Sequence, residues 1–459
     1  MQKKDGSAIM KVKLPRAKKV KIPKAVKIKI PKAVKIRIPK AMKRKVPKAM
    51  RAKRPNAALY FIAYALVYPV LKVCFRLKVD RKDLDLPKGP HIILSNHLTM
   101  YDFLLVMLPL YPHRLNAVTA QKFFLYRPLH KLLPIVGCIP KNMFDADIRS
   151  VISMKSVLKD GNGVLLFPEG RCSSNHEYMG MHKATGKLIK KLGAPVISCY
   201  MEGAATCMAH WRKGVRYGRI QVTYKNLFST DDIASMSVEE INSAIDARLS
   251  GAEGAPPPDK PFRTFGARRL AEGLHQVLYY CPKCGQDFTM TTKGNMIRCS
   301  QCGNAAIMDC EAGLTPTDGS IAHEEISLWY RDQVRHEMSS LSEDMEPIIE
   351  KVKVRTPSPK PGDGMIESGY GTMRLDPRGW HFDGVLSGKD VSLFFPVETV
   401  PVISYDHSDN FQIYSGGSYF QFVPEDPRKS IKYFILAECM HWKFSSRIVM
   451  TPGVNSGFV

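Results

Sequence analysis

The chain predicts an α/β layered fold, followed by a small Cys-rich ribbon and a β-rich C-terminal module. Three observations carry that expectation. Between residues 91 and 250, short apolar runs alternate with amphipathic segments, the pattern of helices layered on a sheet. Next come two Cys-x2-Cys knuckles, Cys281/Cys284 and Cys299/Cys302, with 14 residues between them. Beyond a second Pro-rich linker, residues 369–444 hold aromatic and β-branched runs broken by turns such as Ser415-Gly-Gly-Ser418.

The elements follow in chain order. Residues 1–56 form a basic tail with an octad repeat, with prolines at 15, 23, 31, 39, 47 and 55. Proline at every eighth position forbids a continuous helix, and like charges repel along the segment, so the tail is expected to be extended and disordered. A polycation of this kind suits an anionic membrane surface or a nucleic acid; the bland alternative is a solubilising tail. Residues 57–71 are apolar and would span about 22 Å as a helix, short of the roughly 30 Å hydrocarbon core. The expectation is an interfacial or re-entrant helix, with a true span or a buried helix as alternatives. Strands are expected at 91–95, 115–120, 163–167, 195–201 and 219–224, and helices at 102–109, 146–159 and 182–192. Together 57–254 make one domain. A linker at 255–261 leads to the ribbon at 265–312. A charged helix at 323–350 and a Pro-rich linker lie within 313–364. The β-rich module occupies 365–459 and ends in a helix around 432–441.

The net charge of +26 is localised. Residues 1–54 hold 22 Lys+Arg and one acidic residue, leaving 68 − 22 = 46 basic and 42 − 1 = 41 acidic residues for the remainder. The body is therefore close to neutral, and the charge says nothing about its fold. The 11 cysteines are scattered apart from the four in the knuckles, as expected of a reduced, intracellular protein rather than a disulfide scaffold. The basic leader is too long for a signal peptide, and no small-residue cleavage site follows it. Four thiolates from two knuckles can close a tetrahedron with no open position, which points to structural zinc.

Two strings carry chemistry. Asn96-His97-Leu-Thr-Met-Tyr-Asp102 closes the apolar run 91–95, and Phe167-Pro-Glu169-Gly170-Arg171 closes the run 163–167. Ligands gather at the carboxyl ends of strands in open α/β sheets. Five positions on a uniform helix point about 140° apart, so His97 and Asp102 meet only if a strand ends at His97 and a helix opens at Asp102. An aspartate there is a preferred N-cap, and a carboxylate on an imidazole fixes its tautomer and makes it a better base.

The two strings, in this order and about seventy residues apart, resemble the glycerolipid acyltransferase family, which includes the lysophosphatidate acyltransferases. Two weaker blocks fit the same pattern, Gly137-Cys-Ile-Pro140 and Ala194-Pro-Val-Ile197. The resemblance covers roughly 57–250. It implies a glycerolipid-acyltransferase-like sheet with flanking helices. It also implies transfer of a fatty acyl group from an acyl thioester, acyl-CoA or acyl-carrier protein, to the hydroxyl of a lysophospholipid acceptor. The first expectation is 1-acylglycerol 3-phosphate going to phosphatidate on the cytoplasmic side of a membrane. His97 would be the general base and Asp102 its partner. Gly170 would offer backbone N–H groups to the oxyanion, Arg171 and Lys141 would hold the acceptor's phosphate, and Glu169 would bind acceptor hydroxyls or brace the loop. The chain departs from the family where an arginine usually stands two positions after the glycine: that position is Cys172, and the arginine comes one earlier. Cys172 as a nucleophile is disfavoured because no second histidine is comparably placed. The C-terminal module loosely resembles pleckstrin-homology or GRAM-like domains, which implies lipid or protein binding. A nucleic-acid-binding protein, or a catalytically inactive lipid-binding scaffold, is the competing expectation; the first leaves both strings unexplained.

Overall fold

The computed structural model describes residues 52–143, 147–253 and 260–451. The basic tail therefore lies almost wholly outside the described residues, as do 254–259 of the first linker.

The first part runs α1 (Ala57–Cys74), β1 (Lys78–Asp83), β2 (His91–Ser95), α2 (Asp102–Met107), β3 (Leu115–Ala120), α3 (Leu129–Ile135), β4 (Ile139–Lys141), α4 (Ile148–Lys159), β5 (Gly163–Leu166), α5 (Thr185–Leu192), β6 (Val196–Glu202), α6 (Ala204–Cys207), β7 (Gln221–Phe228), α7 (Thr230–Ser235) and α8 (Val238–Leu249). Its sheet has the order β1-β7-β6-β2-β5-β3-β4. Strands β2 to β6 are mutually parallel, while β7 runs antiparallel to β6 and carries β1 at the edge. Central strands are apolar throughout because both faces are covered. Ile93, Leu165 and Ile197 point into a core with α1 and α2. Ile92, Leu94, Val164 and Val196 point into another with α4, α5 and α8. The parallel register brings the carboxyl ends of β2, β5, β3 and β4 to one edge, and both chemical strings with them.

Helix α1 is capped by Asn56, whose side chain accepts from Leu59 N, and continues through Pro69. It is anchored by Tyr60, whose hydroxyl donates to Met107 O at 3.1 Å. Phe61, Ile62, Leu66, Val70 and Val73 remain exposed, Val73 by 75%. The helix is long and apolar enough to be a candidate span.

The remainder holds two sheets. Strands β8 (Met290–Lys293), β9 (Met296–Cys299), β10 (Ala305–Met308) and β11 (Leu314–Pro316) form an antiparallel meander carrying the knuckles. Helix α9 (Ile326–Ser340) follows, then β12 (Ile348–Pro357), β13 (Met365–Asp376), β14 (Gly379–Leu386), β15 (Lys389–Pro396), β16 (Ser404–Asp406), β17 (Asn410–Ser415), β18 (Ser418–Pro424) and α10 (Ser430–Phe444). These strands form an antiparallel sheet in the order β15-β14-β13-β12-β18-β17-β16. The charged helix expected to reach 350 stops at Ser340. Pro347 disfavours helix in the residue before it, and the period-two burial of Glu350, Val352 and Val354 makes β12, which absorbs part of the expected linker. One continuous apolar core joins the ribbon (Tyr279, Ile297, Met308), α9 (Trp329, Val334), the sheet (Trp380, Phe382, Phe411, Phe422) and α10 (Phe434, Leu436).

Candidate active site and metal centre

Strand β2 ends at Ser95, and the chain turns through His97 before α2 starts. Tyr101, rather than Asp102, is the N-cap of α2; Asp102 is the first helical residue and reaches back over the turn. Its Oδ2 accepts from His97 Nδ1 at 2.9 Å, Leu98 N at 2.6 Å and Thr99 N at 2.8 Å, and its Oδ1 accepts from Thr99 Oγ1 at 2.6 Å. The carboxyl group is wholly buried, and both its oxygens are hydrogen-bonded, as a buried polar group requires. The bond to Nδ1 fixes the tautomer and turns Nε2 outward as the basic nitrogen. The imidazole stacks on Phe167, with centroids 4.3 Å apart. Burial opposes its protonation, but the neighbouring Cys172 and Asp102 outweigh burial and hold its pKa well above the ordinary histidine value.

The second string forms a turn against this histidine. Gly170 sits at φ +70°, the left-handed region where glycine is free of strain. Its N–H donates to Phe167 O at 3.1 Å, closing the turn on itself rather than facing outward. Glu169 braces the loop: Oε1 accepts from His97 N at 2.6 Å and Oε2 from Met179 N at 2.8 Å. Burial pushes its carboxyl up to about 7, against the pull of those two donors. Ser173 N donates to His97 O at 2.7 Å, so both backbone groups of His97 are tied to the turn.

Both expected phosphate ligands have other partners in the structure. Arg171 is buried, and its Nη2 donates to Glu438 Oε1 of α10 at 2.6 Å and to Met179 O at 2.8 Å. Its guanidinium also lies over the Phe434 ring, 5.2 Å from the centroid. Glu438 thus already occupies one end of the guanidinium, while its Nε and Nη1 are buried without a hydrogen-bond partner. Lys141 ends β4, three strands across from β2, about 14 Å at ordinary strand spacing, with its ammonium on Asn142 O at 3.2 Å.

Glu438 was not among the residues the sequence singled out. The available signal was an acid inside the apolar helix Tyr433-Phe-Ile-Leu-Ala-Glu438-Cys-Met, since a carboxylate is seldom buried without a partner. Further contacts tie the C-terminal module to the same loop. Ser174 Oγ and Tyr405 Oη are 3.0 Å apart, Lys183 N donates to Val449 O at 2.7 Å, and Thr451 N donates to Met181 O at 2.7 Å.

In the ribbon, Cys281 and Cys302 sulfurs lie 3.7 Å apart and those of Cys284 and Cys299 lie 3.8 Å apart; all four fall within 4.8 Å of one another. A tetrahedral ion with metal–sulfur bonds of about 2.3 Å requires S···S separations of about 3.8 Å, so the cluster can hold a metal. Asn304 Nδ2 approaches Cys281 Sγ at 3.6 Å and Thr289 Oγ1 approaches Cys299 Sγ at 3.2 Å, outer partners of the kind that orient metal thiolates. A second grouping, Asp287, His336 and Glu337, already holds a cation: Lys432 Nζ lies 2.6 Å from Asp287 Oδ2 and 3.1 Å from Glu337 Oε1.

A histidine held by a buried acid at the open end of a parallel sheet suits group transfer, and residues 76–202 match the family model described as Acyltransferase. This part of the chain is an acyltransferase domain. The chain is also similar to a solved structure, the 1-acyl-sn-glycerophosphate (LPA) acyltransferase PlsC from Thermotoga maritima. That likeness is 15% identical with a TM-score of 0.35, over 43% of this chain and 76% of that one. No curated protein sequence matches the chain.

Proposed function

We propose that the protein moves a fatty acyl group from an acyl thioester to the free hydroxyl of a lysophospholipid, with 1-acylglycerol 3-phosphate as the first acceptor to test. The observation that carries this reading is the His97–Asp102 pair, fixed at 2.9 Å beside the Glu169 turn in a domain of the acyltransferase family. A hydroxyl is a poor nucleophile until a base takes its proton, and His97 Nε2 is the nitrogen left to do so. The exposed apolar face of α1 would lie in the membrane interface, and the basic tail beside it would meet anionic headgroups. The ribbon's thiolate set suits structural zinc, with Cys281, Cys284, Cys299 and Cys302 as ligands and no position left for a substrate.

The test is an assay of the purified full-length protein with a labelled acyl thioester and a panel of lysophospholipids, lysophosphatidate among them. Labelled diacyl product supports the reading, and the best acceptor names the headgroup. The engagement of Arg171 by Glu438 makes acceptors lacking a phosphate monoester essential members of the panel. No product from any acceptor, with either acyl-CoA or acyl-carrier protein as donor, would remove it.

A further inference from the structure

The residue that replaces the family's usual arginine has a place in the site. Cys172 Sγ lies 3.5 Å from His97 Nε2 and 3.8 Å from Nδ1, and 3.6 Å from Met100 Sδ. His97 itself is tied to Asp102. Thiol, imidazole and buried carboxylate thus stand in the order of a nucleophile, its base and the base's orienting group. No second histidine is needed, because the one already assigned serves. The juxtaposition is built into the backbone: Glu169 and Ser173, on either side of Cys172, bond the amide and the carbonyl of His97. The thiol is half-buried, and Met100, Tyr101 and Phe103 nearby on the chain of the first string are exposed, an apolar rim suited to an acyl chain.

Resting on the acyl-transfer reading above, we infer that Cys172 accepts the acyl group covalently, so that transfer proceeds through an acyl-cysteine. In the first half, His97 Nε2 takes the thiol proton and Sγ attacks the donor's thioester carbonyl. The tetrahedral oxyanion collapses, the donor's C–S bond breaks, and the departing thiolate takes the proton from His97. One thioester is exchanged for another, which needs no further reactant. In the second half, His97 takes the proton of the acceptor hydroxyl, the oxygen attacks the acyl-cysteine carbonyl, and the new ester forms as the Cys172 C–S bond breaks. The proton returns from His97 to the Cys172 sulfur. The nearly equal distances to the two ring nitrogens place the sulfur beside the ring rather than in line with Nε2, so the thiol must rotate into line. Apo sites commonly tighten in this way when substrate binds.

A covalent intermediate predicts a partial reaction that direct transfer lacks. Full-length protein is incubated with palmitoyl-CoA and labelled free CoA, without acceptor. Label should enter palmitoyl-CoA, and Cys172→Ala and Cys172→Ser should each lower that exchange by at least about 100-fold. Denatured wild-type protein should carry palmitate on the Cys172 peptide, released by neutral hydroxylamine. Circular dichroism of both variants controls for folding, and the serine keeps the side chain's shape. Diacyl product formed at wild-type rate by Cys172→Ala, with no exchange in the wild type, would overturn the acyl-cysteine and leave the acyltransferase reading intact. Absence of diacyl product from the wild type with every lysophospholipid and donor would instead defeat the reading beneath it.

Discussion

His97 combines three constraints in one side chain: its Nδ1 belongs to Asp102, its ring to Phe167, and both its backbone groups to the 167–173 turn. Removing it as His97→Ala should lower acyl transfer by on the order of 10²–10⁴-fold while vesicle binding is retained. Near-normal turnover would end its role as base. Only neutral imidazole can take a proton, so activity should rise with pH through the His97 pKa, which lies above the ordinary histidine range. Asp102 contributes to that elevation, so Asp102→Asn should both slow the reaction and move the inflection to lower pH. Plots of kcat/KM against pH would show both, and an unmoved inflection would mean that another group sets the profile. His97 and Asp102 were legible in the sequence because their spacing has one economical geometry. Arg171 was legible only as a charge: its partner lies 267 positions away, and no local pattern encodes such a pairing.

At the scale of elements, the turn after β5 is held by α2's side of the sheet and by α10 of the C-terminal module together. Replacing Glu438 by glutamine leaves the buried Arg171 without its counter-charge, a loss of about 3–5 kcal/mol by the usual cost of breaking such a pair. Thermal unfolding should show the fall, and Arg171→Met with Glu438→Leu should recover much of it. If the double variant is stable yet shows a raised KM for a phosphate-monoester acceptor alone, Arg171 serves the acceptor; an even effect on donor and acceptor marks a loop brace. The strands β2, β3, β5, β6 and β7 lie close to where apolar runs placed them. Strands β1 and β4 escaped notice because an exposed edge such as Lys78-Val-Asp-Arg-Lys-Asp83 has no apolar alternation to read, and β4 has only three residues. The reversal of β7 within a parallel sheet comes from tertiary pairing, which periodicity does not report.

The whole molecule combines a near-neutral body with a polycationic tail. Juxtamembrane lysines and arginines gain about 1 kcal/mol each near an anionic leaflet. Deleting residues 1–54 should therefore weaken binding to anionic vesicles, leave binding to neutral ones nearly unchanged, and lose its effect as salt rises. If the full chain abandons anionic vesicles for DNA or RNA at physiological salt, the tail serves a different partner. Metal analysis of protein purified without chelator should return one zinc per chain, and Cys302→Ser should lower it; a metal-free, stable protein would refute the assignment.

The continuity of the C-terminal core has a consequence for the life of the protein in a cell. Ribbon, α9, sheet and α10 share one apolar interior, so loosening the four thiolates loosens the helix that carries Glu438. If the four thiolates hold zinc as proposed, a chain that emerged without it would be conformationally open over a wide region, and modest losses of stability change steady-state abundance several-fold through quality control. Metal supply would then set how many copies persist, while the speed of each surviving copy stayed the same.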